Sequence, residues 1–226
     1  MKLIPIFALV FAATISIRAD ESLLEQAIKV VRANDSDGLR GLIDQGLNVN
    51  EQIKKGDDID SLLHLAVKGN KDAIVEVLLS SGANLEITDT MRYTPIYYAN
   101  RSPHILTMLI HKGAKLESSY PDAPGPIFSY LHTGFIEGLR ILLENKANPN
   151  SIHKHGARWQ YDSTAPTEHA TPLMTAAMHC QTDVARLLLE FGANKKYRND
   201  RRHTAWDFAK NPYGCQWSAQ DIKMLR

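Results

Sequence analysis

Apolar positions in this chain recur in two linked registers. In the stretch Ser61 to Asn84, Ile74, Val77 and Leu78 stand at i, i+3 and i+4, and Val184, Leu187 and Leu188 repeat that spacing between Thr171 and Asn194. A stripe of this kind predicts a helix that buries one face. Ahead of each stripe, Leu63 with Ala66 and Leu173 with Ala176 fall at i and i+3, which predicts a shorter helix on the same side of the chain. Thr94, Thr171 and Thr204 precede these first helices, with Pro95 and Pro172 directly after two of them. A threonine side chain accepts a hydrogen bond from an orphan N–H at a helix start, and proline has no N–H to leave unpaired there. Gly82, Gly113 and Gly192 follow the second helices, where the left-handed conformation that ends a helix suits glycine.

The two-helix pattern is written several times. Its starts at Ser61, Thr94, Gly125, Thr171 and Thr204 are spaced 33, 31, 46 and 33, and Leu39 to Asn50 matches the second half of one more copy. Ala66, Ala99, Ala176 and Ala209 recur at one place, where a neighbouring helix must come close. One such pair of helices cannot bury its apolar face alone, whereas stacked pairs can, so a period near 33 predicts a repeat array. The 46-residue spacing leaves 13 extra residues, which fall between Asn150 and Thr171.

These residues resemble the ankyrin repeat, whose signature is T-P-L-H-x-A in a 33-residue unit. The resemblance runs from about Leu23 to the C-terminus. It implies an all-α ankyrin-repeat solenoid of about six helix-turn-helix units with short hairpin-like tips. The expected divisions of the array, residues 20–226, are a capping unit 22–56, repeats at about 57–89, 90–120 and 121–150, an inserted loop 151–168, a repeat 169–199 and a C-terminal capping unit 200–226. Ser61-Leu62 replaces Thr-Pro, and Lys146 stands where glycine is expected, so that helix end is either closed by Asn145 or looser. The segment SLLEQAIKVVRAND reads as a longer capping helix.

Composition is 44% hydrophobic and 23% charged, which fits a packed globular chain rather than a disordered one. The start, MKLIPIFALVFAATISIRAD, joins one Lys to an apolar run from Leu3 to Ile17 and then Arg18-Ala19. It predicts a secretory signal peptide over residues 1–19, with an uncleaved anchor as the alternative. Removing it takes away Lys2 and Arg18, which leaves 24 Lys and Arg against 25 acids. That balance gives no electrostatic reason to expect nucleic acid or an anionic membrane as partner. Export would put Cys180 and Cys215 in an oxidising compartment. They lie near equivalent turns of neighbouring units, so a bridge stapling the terminal cap and two free thiols are both open.

The resemblance implies a binding scaffold with no catalytic residue and no cofactor. Its partner is another protein, held on a concave face of hairpin tips and first helices by a monomeric array not inserted in a membrane. Mapped onto this chain, that face holds Asp57, Asp58 and Asp60, Met91 and Tyr93, Arg101, Met178 and His179, and Arg201 and His203. The inserted loop carries Arg158, Trp159 and Tyr161, residue types that dominate interface energy. It either contacts the partner or folds onto its own array. His153, His155 and His169 with Glu168 raise a metal question, but a loop with no cysteine or helical histidine pair does not fix ligand geometry. The expected role is a binding module of the bacterial periplasm, for example an immunity protein against an envelope toxin or a protector of a periplasmic enzyme. A secreted effector acting on host proteins is the alternative, and a metal-dependent hydrolase using the His-rich loop a weaker one.

Overall fold

The computed structural model describes residues 21–120, 123–152, 169–210 and 217–226. The expected signal peptide, most of the inserted loop and Cys215 lie outside them.

Eleven α-helices, one 3-10 helix and one hairpin make up the described residues. The capping unit holds α1 (Leu23–Ala33) and α2 (Ser36–Asp44). The second unit opens with the hairpin β1 (Gln52–Lys55) and β2 (Asp58–Ser61), then α3 (Leu62–Lys68) and α4 (Asp72–Ser80). The third has the 3-10 helix Pro95–Tyr98 and α5 (Pro103–His111), and the fourth α6 (Pro126–Thr133) and α7 (Ile136–Glu144). The fifth has α8 (Pro172–Met178) and α9 (Thr182–Glu190), and the last α10 (Ala205–Lys210) and α11 (Ala219–Met224). The first helix starts with a full capping box: Ser22 Oγ accepts from the Glu25 N–H and the Glu25 carboxylate accepts from the Ser22 N–H.

The helices stack in two layers. In the first-helix layer α1 packs on α3, α3 on the 3-10 helix, that helix on α6, α6 on α8, and α8 on α10. In the second-helix layer the order is α2, α4, α5, α7 and α9. Both layers run unbroken from the fourth unit to the fifth, on either side of the 13 extra residues. The core is one cluster: Leu63, Leu78, Leu173 and Leu188 are at most 2% exposed. Ala66, Ala99, Ala176 and Ala209 are buried between layers.

The third unit departs from the expected α-helix for a reason of length. Two residues fewer separate Thr94 from Pro103 than the fifth unit uses, and Pro103 disfavours a helical conformation at Ser102. What remains closes as i to i+3 bonds, Tyr97 N–H to the Thr94 carbonyl at 3.0 Å and Ala99 N–H to the Ile96 carbonyl at 3.2 Å. Lys146 takes the left-handed conformation itself, at φ 72°, and Asn145 also donates its amide to the Ile141 carbonyl at 2.8 Å.

Each junction between second-helix loops carries a side-chain bridge. The Asn84 N–H donates to Asn50 Oδ1 at 2.6 Å, Lys115 to Glu86 at 2.9 Å, Asn148 to Glu117 at 2.9 Å and Asn194 to Asn150 at 2.6 Å. The two asparagines also donate, to the carbonyls of Gly82 at 3.1 Å and Gly192 at 3.2 Å. These bonds satisfy loop groups that the stack withdraws from the helices, and they fix the register of unit on unit.

Candidate protein-binding surface

Two tips are built by one device. At the third unit Asp89, 8% exposed, accepts the N–H groups of Met91 at 2.9 Å and Tyr93 at 3.1 Å through Oδ1. Its own N–H donates to the Tyr93 carbonyl, and Arg92, at φ 62°, turns the chain between them. At the sixth unit Asn199, 5% exposed, repeats the arrangement: its Oδ1 accepts from Arg201 at 3.1 Å and His203 at 2.9 Å, with Arg202 at φ 62°. A buried side chain holding two backbone donors two residues apart makes a short, fixed loop, so the residues it projects lose little freedom on contact with a partner.

The third tip is tied to the second unit by a polar cluster. Tyr98 donates its hydroxyl to Asp89 Oδ2 at 2.5 Å, and Lys68 reaches Asp60 at 3.1 Å and Asp89 at 3.5 Å while lying 4.3 Å above the Tyr98 ring. His64, fully buried, has Nδ1 2.9 Å from Ser61 Oγ and Nε2 3.0 Å from the Tyr93 carbonyl. Burial lowers the His64 pKa from its ordinary 6.5, against the raising effect of the Tyr93 carbonyl and Asp60. Burial also raises the phenols of Tyr93, Tyr97 and Tyr98, and the Asp89 carboxylate raises Tyr98 further. Thr90 and Ile59 bond across the two tips, Ile59 N–H to Thr90 Oγ1 at 2.6 Å.

The residues predicted to face a partner fall on this layer unequally. Met91 is 62% exposed at the third tip. Tyr93 is half-buried, stacked on Tyr97 with centroids 3.9 Å apart, so its ring supports the tip more than it offers contact area. Asp57 and Asp58 at the second tip are exposed and Asp60 is tied into the polar cluster. Arg101 and His179 are exposed at the ends of the first helices, Met178 partly so, and Arg201 and His203 are exposed at the sixth tip. The His203 ring meets Phe208 edge-on at 5.6 Å. Arg158, Trp159 and Tyr161 lie outside the described residues, as do His153, His155 and Glu168. His169 is hydrogen-bonded to Asp200 across the fifth and sixth tips. Among the described residues no three His, Cys, Asp or Glu side chains gather as for a metal ion, and no helix is long and apolar enough to cross a membrane. Cys180 is disulfide-bonded.

Sequence reasoning missed Asp89, Lys68 and Tyr98 as tip-building residues, and missed Tyr120. That ring is 38% exposed, lies 5.4 Å from the Arg92 guanidinium, and with Glu86, Tyr93 and Pro124 borders a cavity of 70 Å³. The signal was present: DTMRYTP and NDRRHTA place Asp89 and Asn199 five residues before Thr94 and Thr204.

Comparison with known proteins agrees with the geometry. A family model described as ankyrin repeats (3 copies) matches residues 24–120, and one described as ankyrin repeat matches residues 168–200. The E3 ubiquitin-protein ligase KEG of Arabidopsis thaliana is 28% identical over 179 residues, which cover 74% of this chain and 10% of the ligase. A Fowlpox virus protein named as an ankyrin repeat protein, FPV223, is 32% identical over 96 residues, 42% of this chain and 67% of that protein. The ankyrin repeat protein nuc-2 of Neurospora crassa is 27% identical over 194 residues, 77% of this chain and 16% of that protein. The chain therefore spans only a small part of the plant and fungal relatives. Among solved structures, the human ASB11 ankyrin repeat domain aligns with a TM-score of 0.56 at 25% identity, covering 88% of this chain and 97% of that domain.

Proposed function

Since this chain belongs to the ankyrin repeat proteins, we propose that it is a non-catalytic module that holds one partner protein against its hairpin tips and first helices. The observation that carries the reading is the pair of tips fixed from below by Asp89 and Asn199, which present Met91 and Arg201 on short, pre-set loops. Arg101, His179 and His203 are exposed on the same layer. Arg158, Trp159 and Tyr161 of the insertion extend the proposed contact.

The proposal includes export to the bacterial periplasm, supported by the pattern of residues 1–19 and by a disulfide-bonded Cys180. A disulfide persists in an oxidising compartment, and we take Cys215, the chain's other cysteine, as its partner. There the module blocks or stabilises its partner, as an immunity protein does to a toxin or a protector to an envelope enzyme. Fractionation of tagged protein tests the location. Affinity capture from an envelope extract tests the binding. The unaltered chain should retain one stoichiometric partner, and Met91→Ala with Arg101→Ala, or Trp159→Ala with Tyr161→Ala, should weaken retention without loss of helical circular dichroism. Full retention by both double variants would remove this face as the contact.

A further inference from the structure

The balanced charge of the whole chain hides a polar array. Residues 21–120 carry 11 Lys and Arg against 14 acids, whereas residues 169–226 carry 9 against 5. The excess gathers at the sixth tip, where residues 195–202 read KKYRNDRR, with five cations and one acid. The equivalent residues of the third tip, LEITDTMR, hold one cation and two acids. Both tips are closed by the same buried side-chain device, so the fold does not call for cations there.

The one acid of the sixth tip is already engaged, since Asp200 pairs with His169. Lys196, Arg198, Arg201 and Arg202 are exposed. Arg198 donates to the Arg202 carbonyl at 2.7 Å, which draws its guanidinium in among the others. Among the described residues no carboxylate stands within ion-pair distance of Lys195, Lys196 or the three arginines. Two more cations lie over an aromatic ring of α10, Lys210 from the end of that helix and Arg226 from beyond α11: Lys210 Nζ is 3.9 Å from the Trp206 centroid and Arg226 Cζ 5.6 Å from it. Like charges crowded on one tip repel each other, and a partner that brings carboxylates relieves the repulsion while steering its own approach.

We propose that the sixth tip, Lys195 to Arg202, with Lys210 and Arg226 around Trp206, docks an acidic segment of the partner protein. This rests on the protein-binding reading above and names the chemistry of the partner. Arginine guanidinium groups take carboxylates in paired hydrogen bonds, and a run of a few Asp or Glu residues spans a single tip. A nucleic acid fits less well, because a polyanion laid along the array would run over the net-negative first three units.

The test uses the full chain and a fluorescein-labelled Glu/Asp-rich peptide followed by anisotropy, with duplex DNA and phosphatidylserine vesicles as competing probes. The variant is Lys196→Ala, Arg201→Ala and Arg202→Gly together; glycine is chosen because Arg202 has φ 62°. Peptide binding should weaken by about tenfold or more in the variant, fall steeply as salt is raised, and stay unchanged in a Lys54→Ala, Lys55→Ala control at the second-unit hairpin. Equal binding by the variant, indifference to salt, or tighter binding of DNA or vesicles than of peptide would overturn the assignment. Capture of the envelope partner separates the two levels. A triple variant that still retains that partner ends the acidic-docking inference and leaves the binding reading standing, whereas an unaltered chain that retains no partner ends both.

Discussion

Tyr130 stands where Ala66, Ala99, Ala176 and Ala209 stand in other units, and Gly138, eight residues on, stands where Ile74 and Val184 stand. The fourth unit therefore puts bulk on its first helix and removes it from the second. The ring is fully buried, lies 6.0 Å from the Phe135 centroid and donates its hydroxyl to the Ile96 carbonyl at 3.2 Å. A Cβ at Gly138 would run into the Phe135 ring and meet Tyr130 Cδ1 at 2.7 Å. Gly138→Val should thus cost about 2–3 kcal/mol from overpacking, even though valine is the better helix former. Tyr130→Ala should cost about 3–5 kcal/mol, as loss of a buried aromatic ring does. Made together, the two changes match Ala176 and Val184, and loss of the Tyr130 ring frees space for the Phe135 ring stacked on it, so the double variant should recover about 1–2 kcal/mol of the summed loss. Urea unfolding followed by far-UV circular dichroism measures all four corners of the cycle, with unchanged slopes as the check on two-state behaviour. A double variant whose loss equals the sum of the single losses within about 0.5 kcal/mol would refute the idea that these positions share one space.

Further outcomes follow from other contacts. Asn150→Ala removes both bonds from the fourth unit to Asn194 and Gly192, a loss of about 1–2 kcal/mol. Trp159, Trp206 and Trp217 all lie beyond that junction, so tryptophan fluorescence should then report unfolding at lower urea than circular dichroism does; coincident curves would contradict this. Asn199 Nδ2 is buried without a partner, whereas Asp89 Oδ2 has Tyr98, nine residues on. Phe208 holds that place in the sixth unit, so Phe208→Tyr should add about 1 kcal/mol, and an unchanged or lower melting midpoint would break the equivalence of the two tips. Burial holds the His64 pKa in the folded chain below 6.5. The unfolded chain then takes the proton first, so stability should fall as pH drops through 6.5 toward the folded value. His64→Gln should flatten that part of the profile at a lower overall midpoint; an unaltered slope would exclude His64 as its source.

The stack was legible because burial leaves a period. Ile74, Val77 and Leu78 face the core for the reason that they recur at i, i+3 and i+4. The shortened third unit was half legible, since the spacing of 31 already removes the two residues that an α-helix before Ser102 would need. The binding face was harder to read. Tip residues are polar and follow no hydrophobic period, so Asp89 and Asn199 look solvated in sequence although each is buried beneath its loop. The basic sixth tip disappears into a nearly neutral total. Tyr93 looks in sequence like an anchor for a partner and proves to be stacked on Tyr97 of its own unit, a pairing set by how the tip turns into the 3-10 helix Pro95–Tyr98.

The central claim is that the fixed tips and first helices, not the second-helix layer, grip the partner. Hydrogen–deuterium exchange of the array with and without its captured partner tests it directly. Exchange should slow at residues 89–94 and 199–204 and along the first helices, while 72–80 and 182–190 keep their free rates. Slowing confined to the second helices would place the partner on the opposite side and contradict the account.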